Sequence, residues 1–159
     1  NHNQFGIVYD NGTATITGIN GELDVKVSDA VNVFGKVEYK DYKMASEAEP
    51  WNLPKFKLTA GAQLHITKQL SINGTLLFRG ATYDRTTPFV ITNGNTTTTS
   101  FNLVEISSFA DLSGGVEYKI NNTFSIFGQV NNILNSNPQI WRNYQAYGFN
   151  IFGGVGAHF

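Results

Sequence analysis

Apolar and polar residues alternate along most of this chain, and the strands that this alternation predicts are long. In the first clear segment Ile19, Leu23, Val25 and Val27 share one face, and polar residues share the other. A period of two is the signature of a strand whose faces meet different surroundings. The predicted strands run to about 10–14 residues, whereas strands of globular proteins usually have about 5–6. A tilted membrane crossing needs about 9–11 residues, so the pattern predicts an antiparallel transmembrane β-barrel.

Eight segments carry the pattern, and short and long connections mostly alternate between them. The segments are Phe5–Tyr9, Ala14–Val27, Val31–Tyr39, Phe56–Ile66, Leu70–Phe78, Phe109–Ile120, Phe124–Ile133 and Phe149–Phe159. The short turns are 28–30, 67–69 and 121–122, and the long connections are 43–55, 83–105 and 135–147. Barrels of the outer membrane have short periplasmic turns and long external loops. We therefore predict an all-β, up-and-down meander of about eight strands that forms one domain over residues 1–159.

The last predicted strand is apolar at alternate positions and ends on an aromatic residue. Its apolar face carries Phe149, Ile151, Val155, Ala157 and the final Phe159. In proteins of the bacterial outer membrane, such a strand resembles the signal that the barrel-assembly machinery reads. We predict that these five residues form an assembly signal, that the strand descends toward the periplasm, and that the three long connections face outside.

Composition excludes several other classes of protein. Charged residues make up 14% of the chain and the net charge is −1, so no nucleic-acid partner is expected. There is no cysteine, which excludes disulfides and thiolate metal sites. No Ser-His-acid arrangement is recognisable, and we predict no enzymatic activity, no catalytic or metal-binding residue and no cofactor. A soluble β-sandwich has similar alternation, but its strands are shorter and it lacks the rhythm of the connections.

The charges predicted on the polar face have mixed signs. They are Glu22, Asp24, Lys26, Lys36, Glu38, Lys40, Lys57, Arg79, Asp111, Glu117 and Lys119. The interior of an eight-stranded barrel is just filled by side chains, and lone buried charges are costly there. In such a barrel these charges are expected to pair almost completely, and the near balance of signs allows it.

Several segments resemble the barrel of TonB-dependent outer-membrane receptors. The strand that begins P-K-F-K-L-T-A-G-A-Q-L at Pro54 and the following I-T-K-Q-L-S-I-N-G segment are similar to their wall strands. The closing part, F-S-I-F-G-Q-V-N-N-I-L-N from Phe124, then W-R-N-Y and the final strand, is similar to the end of such receptors, in the style of the Bacteroidota.

This resemblance implies active uptake of a nutrient such as an iron chelate, a glycan or a peptide. The implied partners are outer-membrane lipid, the barrel-assembly machinery and an energy-coupling complex of the inner membrane. Receptors of this family have an N-terminal plug, a coupling box and a barrel of about twenty-two strands, for which this chain has no room. Three alternatives stay open: the C-terminal part of a receptor, a small closed barrel with a structural or adhesive role, or one subunit of an envelope complex.

Aromatic residues of the chain fall into two groups. Those near strand ends are predicted to form girdles at the membrane interfaces, and they are Tyr39, Tyr42, Phe78, Tyr83, Tyr118 and Phe124. Those in the long loops are candidates for contact with a ligand, because receptor loops carry recognition. The candidates are the aromatic residues Trp51, Phe89, Trp141, Tyr144 and Tyr147, together with Arg142 beside Trp141. Stacking within the loops is the alternative role for this second group.

Overall fold

A computed structural model describes residues 12–45, 48–86, 89–94 and 96–158. Within those ranges, no helix is long and apolar enough to cross a membrane. The strands are β1 (Ala14–Lys26), β2 (Val31–Met44), β3 (Phe56–His65), β4 (Leu70–Arg79), β5 (Thr82–Arg85), β6 (Phe89–Asn93), β7 (Thr96–Ser100), β8 (Leu103–Ile106), β9 (Phe109–Lys119), β10 (Phe124–Asn131), β11 (Gln139–Trp141), β12 (Tyr144–Gln145) and β13 (Asn150–Ala157).

Seven of these strands form one antiparallel sheet in the order β1-β2-β3-β4-β9-β10-β13. They match seven of the eight predicted segments, and the eighth, Phe5–Tyr9, lies outside the described residues. The strands of the sheet follow one another in chain order. The strands β5–β8 lie in the connection between β4 and β9, and β11 and β12 lie in the connection between β10 and β13. In the described part of the chain β1 and β13 are not paired with each other, so the sheet is open there.

The prediction of about eight strands is not confirmed, because the described chain has thirteen. The six additional strands lie in two connections that were expected to be loops. In one, β5 pairs with β8 and β6 pairs with β7; in the other, β11 pairs with β12. These ribbons were missed because they lack clear apolar alternation. Cross-strand pairs and β-branched residues such as the threonines of β7 favour extended pairing without it.

The sheet is a single layer with one apolar face. Register places Leu58 of β3, Leu76 and Phe78 of β4 and Leu112 of β9 on that face, and it continues to Val155 of β13, whose side chain is 69% exposed. Among the described residues, each strand of the sheet packs mainly against its neighbours in the sheet. An exposed apolar face of this size, with no second layer over it, has the form of a barrel wall facing lipid and not of a sandwich.

Ion pairs on the polar face are confined to one side of the sheet. Glu22 pairs with Lys36 at 3.8 Å, and Glu38 accepts from Lys57 at 2.9 Å and from Lys40 at 3.3 Å. Lys26 pairs with Asp29 of the turn after β1 at 2.7 Å, so all four of these carboxylate–ammonium contacts lie on β1, β2, β3 or that turn. The almost complete pairing expected of a closed eight-stranded barrel is therefore not seen among the described residues. Asp24, Arg79, Asp111, Glu117 and Lys119 make no ion pair among them, because the opposing residues in register are mostly uncharged.

Aromatic rings also occur on the polar face, which the alternation did not indicate. Phe34 of β2 lies directly across from Gly61 of β3, and Phe127 of β10 lies across from Gly154 of β13. A Cβ atom on Gly61 would lie 2.5 Å from the ring of Phe34, and one on Gly154 would lie 2.7 Å from the ring of Phe127. Each ring thus covers the backbone of a glycine on the next strand, an arrangement that supports an otherwise weak strand position.

Four of the six residues predicted to form girdles lie on the apolar face, and their place at a membrane interface stays a prediction. Tyr39, Phe78, Tyr118 and Phe124 lie near strand ends on the apolar face, and the rings of Phe56 and Phe78 are 5.9 Å apart. Tyr42 faces the polar side, because it shares the parity of Glu38 and Lys40. Tyr83 belongs to β5, within a loop. The turns after β1, β3 and β9 lie at one end of the sheet and the three long connections lie at the other.

Candidate ligand-contacting loop layer

The three long connections meet at one end of the sheet and form what we call the loop layer, comprising the described residues of 45–55, 79–108 and 132–149. Arg79, the last residue of β4, joins them. Its Nη2 donates to the carbonyl oxygen of Asn52 at 2.9 Å, and its Nη1 donates to the carbonyl oxygens of Gln139 and Ile140 at 3.4 and 3.5 Å. One guanidinium at the base of one loop therefore holds backbone groups of the other two.

Arg85 of β5 makes a second junction in the loop layer. Its guanidinium carbon lies 3.7 Å from the ring centre of Trp51 and 3.6 Å from that of Phe101. A guanidinium between two aromatic faces is stabilised by the charge distribution of both rings, with about 0.5–2 kcal/mol for each contact depending on desolvation. The backbone joins the same two loops, because the N–H of Asn52 donates to the carbonyl oxygen of Tyr83 at 2.8 Å.

Two substitutions of Trp51 test whether the stacking of its ring on Arg85 stabilises the protein. Its Nε1 is buried and has no hydrogen-bond partner among the described residues, which carries a desolvation cost. We expect Trp51→Phe to keep the stack on Arg85 and remove that cost, with stability within about 1 kcal/mol of the parent. Trp51→Ala should lose about 2–4 kcal/mol. Urea denaturation of both variants measures this difference, and equal losses would contradict the role of the stack.

Asn132 holds the connection between β10 and β13 in place. It is 1% exposed and has a φ of 49°. Its Nδ2 donates to the carbonyl oxygens of Ser136 and Tyr147 at 2.8 and 3.2 Å, and its Oδ1 accepts from the backbone N–H and the hydroxyl of Ser136, both at 3.0 Å. Asparagine is among the few residues that readily adopt a positive φ. Both ends of the connection are thereby tied to one side chain.

The hairpin of β11 and β12 exposes most of the predicted ligand-contacting residues. Trp141 and Tyr144 are register partners, 57% and 70% exposed, and Tyr147 follows at 90%. Arg142 lies in the turn between the two strands, where its backbone N–H donates to Oδ2 of Asp84 at 3.4 Å. Exposed aromatic residues clustered in this way are uncommon on a free surface and typical of contact sites.

An open cavity of about 440 Å³ lies between β8 and this hairpin. Its wall combines Glu105, two serines and several amides with Arg142, and Ile106 also lines it; the full lining is Val104, Glu105, Ile106, Ser107, Ser108, Asn137, Gln139, Arg142 and Asn143. Its volume is within the range of small-molecule sites. No three histidine, aspartate or glutamate side chains of the described chain come together to hold a metal ion.

The structure separates the six predicted ligand-contacting residues. Trp141, Arg142, Tyr144 and Tyr147 share one connection, whereas Trp51 lies in another and stacks on Arg85. Phe89 is the first residue of β6. Sequence reasoning missed Asp84, Arg85 and Asn132 and did not assign Arg79 to the loops. One available signal was the position of the arginines, since all three of the chain lie in the loop layer while the lysines lie elsewhere or at its margin.

The residues of the predicted assembly signal lie on or next to β13. Ile151, Val155 and Ala157 share the exposed apolar face, and Phe149 precedes the strand, with its N–H donating to Oδ1 of Asn135 at 3.3 Å. Phe159 lies outside the described residues. Their role as an assembly signal stays a prediction.

Solved structures with a similar fold are known for this chain, although its sequence matches no family. Neither protein-family models nor curated proteins match this sequence. Among solved structures, the ferripyoverdine receptor of the outer membrane of Pseudomonas aeruginosa matches with a TM-score of 0.73 and 13% identity, over 91% of this chain and 19% of the receptor. A mutant of the ferric enterobactin receptor of the same species matches with a TM-score of 0.65 and 16% identity, over 92% of this chain and 22% of that receptor.

The pyoverdine outer-membrane receptor of Pseudomonas aeruginosa, bound to pyoverdine, is also similar, with a TM-score of 0.70 and 15% identity over 92% of this chain and 22% of that receptor. These proteins are receptors and not enzymes. The chain spans about a fifth of the length of the solved structures that it matches. Together with the single-layer meander and its exposed apolar face, these similarities show that the chain has the fold of a wall segment of an outer-membrane receptor barrel.

Proposed function

We propose that this chain forms part of the barrel wall of a TonB-dependent receptor in the bacterial outer membrane and that the receptor takes up a nutrient actively. The observation that carries the proposal is the combination of a lipid-type apolar face with a tied loop layer at one end of the strands. The fold similarity to siderophore receptors supports it. Fold alone does not imply function, so the argument depends on these two surfaces.

The loop layer is the proposed ligand-contacting surface. Trp141, Tyr144 and Tyr147 offer aromatic faces next to the cavity that Arg142 and Glu105 line. The similar receptors are described as bound to ferripyoverdine, pyoverdine or enterobactin, which favours an iron chelate among the three nutrient classes; a glycan or a peptide is the alternative. Energy would come from a coupling complex of the inner membrane, and insertion would use the barrel-assembly machinery. The Bacteroidota-like style of the sequence stays a prediction.

Single-cysteine labelling tests the location and the orientation. The chain contains no cysteine, so a variant has one reactive thiol within it. We expect a membrane-impermeant maleimide to label Tyr147→Cys in intact cells, because this side chain is 90% exposed in the loop layer. Lys68→Cys, in the turn at the opposite end, should react only after the outer membrane is permeabilised. Equal labelling of both variants in intact cells, or of neither, would contradict the proposed topology.

Uptake measurements separate a transporter from a structural or adhesive barrel. Cells that lack the protein should lose growth on at least one iron chelate, glycan or peptide as the sole source of iron or carbon. A protonophore should abolish uptake but leave surface binding of that nutrient intact. Unchanged growth on all three classes would overturn the transport proposal.

The similarity of this chain to about a fifth of much longer receptors favours a larger wall over a small closed barrel. Unpaired strand edges are not tolerated in lipid, and β1 and β13 are both edges in the described part of the chain. Further strands must therefore complete the wall, whether from other residues of the protein or from another chain. A disulfide between cysteines placed in the segment Phe5–Tyr9 and on β13 would support the small closed barrel instead.

A further inference from the structure

The connection between β10 and β13 has a firmly held base. We call residues 136–147, with β11 and β12, the strap. The N–H of Ala146 donates to the carbonyl oxygen of Pro138 at 2.9 Å across this base. The hydroxyl of Ser136 donates to the carbonyl oxygen of Ala110 on β9 at 2.7 Å. Asn132 joins the two ends, because its Nδ2 donates to the carbonyl oxygens of Ser136 and Tyr147 at 2.8 and 3.2 Å. The base is thus fixed to the wall.

Within the described parts of the loop layer, the polar contacts between the rest of the strap and the other loops are all long. Arg79 reaches the carbonyl oxygens of Gln139 and Ile140 at 3.4 and 3.5 Å, and the N–H of Arg142 reaches Asp84 at 3.4 Å. Strong N–H···O bonds cluster near 2.9–3.0 Å. The contacts among the other two loops have these ordinary lengths. Arg79 donates to the carbonyl oxygen of Asn52 at 2.9 Å, and the N–H of Asn52 donates to the carbonyl oxygen of Tyr83 at 2.8 Å.

The acceptors of Arg79 are all neutral carbonyl groups. In the described part of the chain, Arg79 makes no ion pair, and Glu38 pairs instead with Lys57 and Lys40. An ionised donor strengthens a hydrogen bond of ordinary length, but the contacts of Arg79 with the strap, at 3.4 and 3.5 Å, are longer than such bonds. The contacts that hold the strap are therefore weak as well as few, whereas its base is strong.

The strap forms one wall of the 440 Å³ cavity. Gln139, Arg142 and Asn143 contribute from the strap, and β8 contributes the opposite wall with Ile106, which is only 5% exposed. Thr82 is the register partner of Ile106, is 1% exposed and does not line the cavity. A movement of the strap alone would uncover Ile106 before Thr82.

We propose that the strap is a hinged wall of this cavity, that the base at Asn132 is its hinge, and that Arg79 and Asp84 form its latch. Opening breaks three long contacts and leaves the sheet, the Arg85 stack and the base intact. Arg79 is then a positioning residue that sets access to the cavity, whatever ligand the receptor takes. The latch is independent of the proposed transport function, because it can be measured in the protein without ligand.

The rate at which a maleimide labels an introduced cysteine, in the complete protein in detergent, measures how often the strap opens. The reporter is Ile106→Cys with a polar maleimide, and Thr82→Cys is the matched control for general loosening of the loop layer. We expect Arg79→Gln to raise the labelling rate of the Ile106→Cys reporter about tenfold, because it weakens two of the three latch contacts. Asp84→Ala should raise that rate by a smaller factor. Lys57→Gln, next to Arg79 in register but without a contact to the strap, should leave it unchanged.

Three outcomes would overturn the proposal. The first is an unchanged rate at position 106 in the Arg79→Gln variant. The second is an equal increase at positions 82 and 106, which would mean that the whole loop layer loosens. The third is an equal increase with Lys57→Gln, which would mean that any lost cation on this part of the wall has the same effect.

Discussion

The Leu76→Arg variant is expected to lose about 2–4 kcal/mol of folding stability in a bilayer, because it places a charge near the middle of the lipid-facing side of a barrel wall. Leu76 lies on the apolar face of β4, between Ala60 and Leu112 in register. Its neighbour Thr75 points to the polar face, between Gly61 and Ser113 in register. Thr75→Arg should therefore cost less than about 1 kcal/mol.

The two variants differ mainly in the face of the sheet that receives the arginine, because both introduce the same residue and the two positions are adjacent. Urea titration of the protein folded into phospholipid vesicles, followed by the gel shift of the folded barrel, measures both free energies of unfolding. Similar losses for Leu76→Arg and Thr75→Arg would contradict the assignment of the apolar face to lipid.

The Asn132→Gly variant is expected to lose about 2–4 kcal/mol of folding stability. Glycine adopts the positive φ of this position without strain, so the loss reflects the side chain alone. It would leave the backbone N–H of Ser136 and the carbonyl oxygens of Ser136 and Tyr147 without a partner that the structure shows. Each buried polar group left unsatisfied costs about 1–3 kcal/mol, partly recovered if water enters.

Asn143→Gly is the matched control. Asn143 also has a positive φ, 65°, but it is exposed, and its side chain makes no hydrogen bond within the described chain. We expect a change of less than about 0.5 kcal/mol there. Limited proteolysis of the folded protein provides a second readout, because Asn132→Gly should open cleavage within residues 136–147 whereas Asn143→Gly should not. Equal stability of the two variants would mean that Asn132 does not organise this connection.

The strands of the sheet could be predicted from the sequence because of their alternating pattern. A strand with one face toward lipid and one toward a polar interior repeats every two residues, and the sequence carries that repeat directly. The strand bounds came within a few residues, as in Phe56–Ile66 against β3 at Phe56–His65. The positions of the turns and long connections followed from the same repeat.

The loop layer was less accessible, because its contacts join residues that lie far apart in the chain. Arg79 was predicted only as one of many charges on the polar face, yet its partners are the carbonyl groups of Asn52, Gln139 and Ile140. Backbone carbonyls leave no mark in a sequence. Trp51 was identified as an aromatic loop residue, but its stack on Arg85 depends on the meeting of two different loops.

By itself, the sequence determined the seven strands of the sheet, their two faces and the alternation of short and long connections, because each depends on the local order of apolar and polar residues. Only the tertiary structure decided which charges pair, which rings cover Gly61 and Gly154, and how Arg79 and Asn132 tie the loops. The physical reason is distance along the chain: the contact between Arg79 and Ile140 spans 61 residues, and no local pattern encodes it.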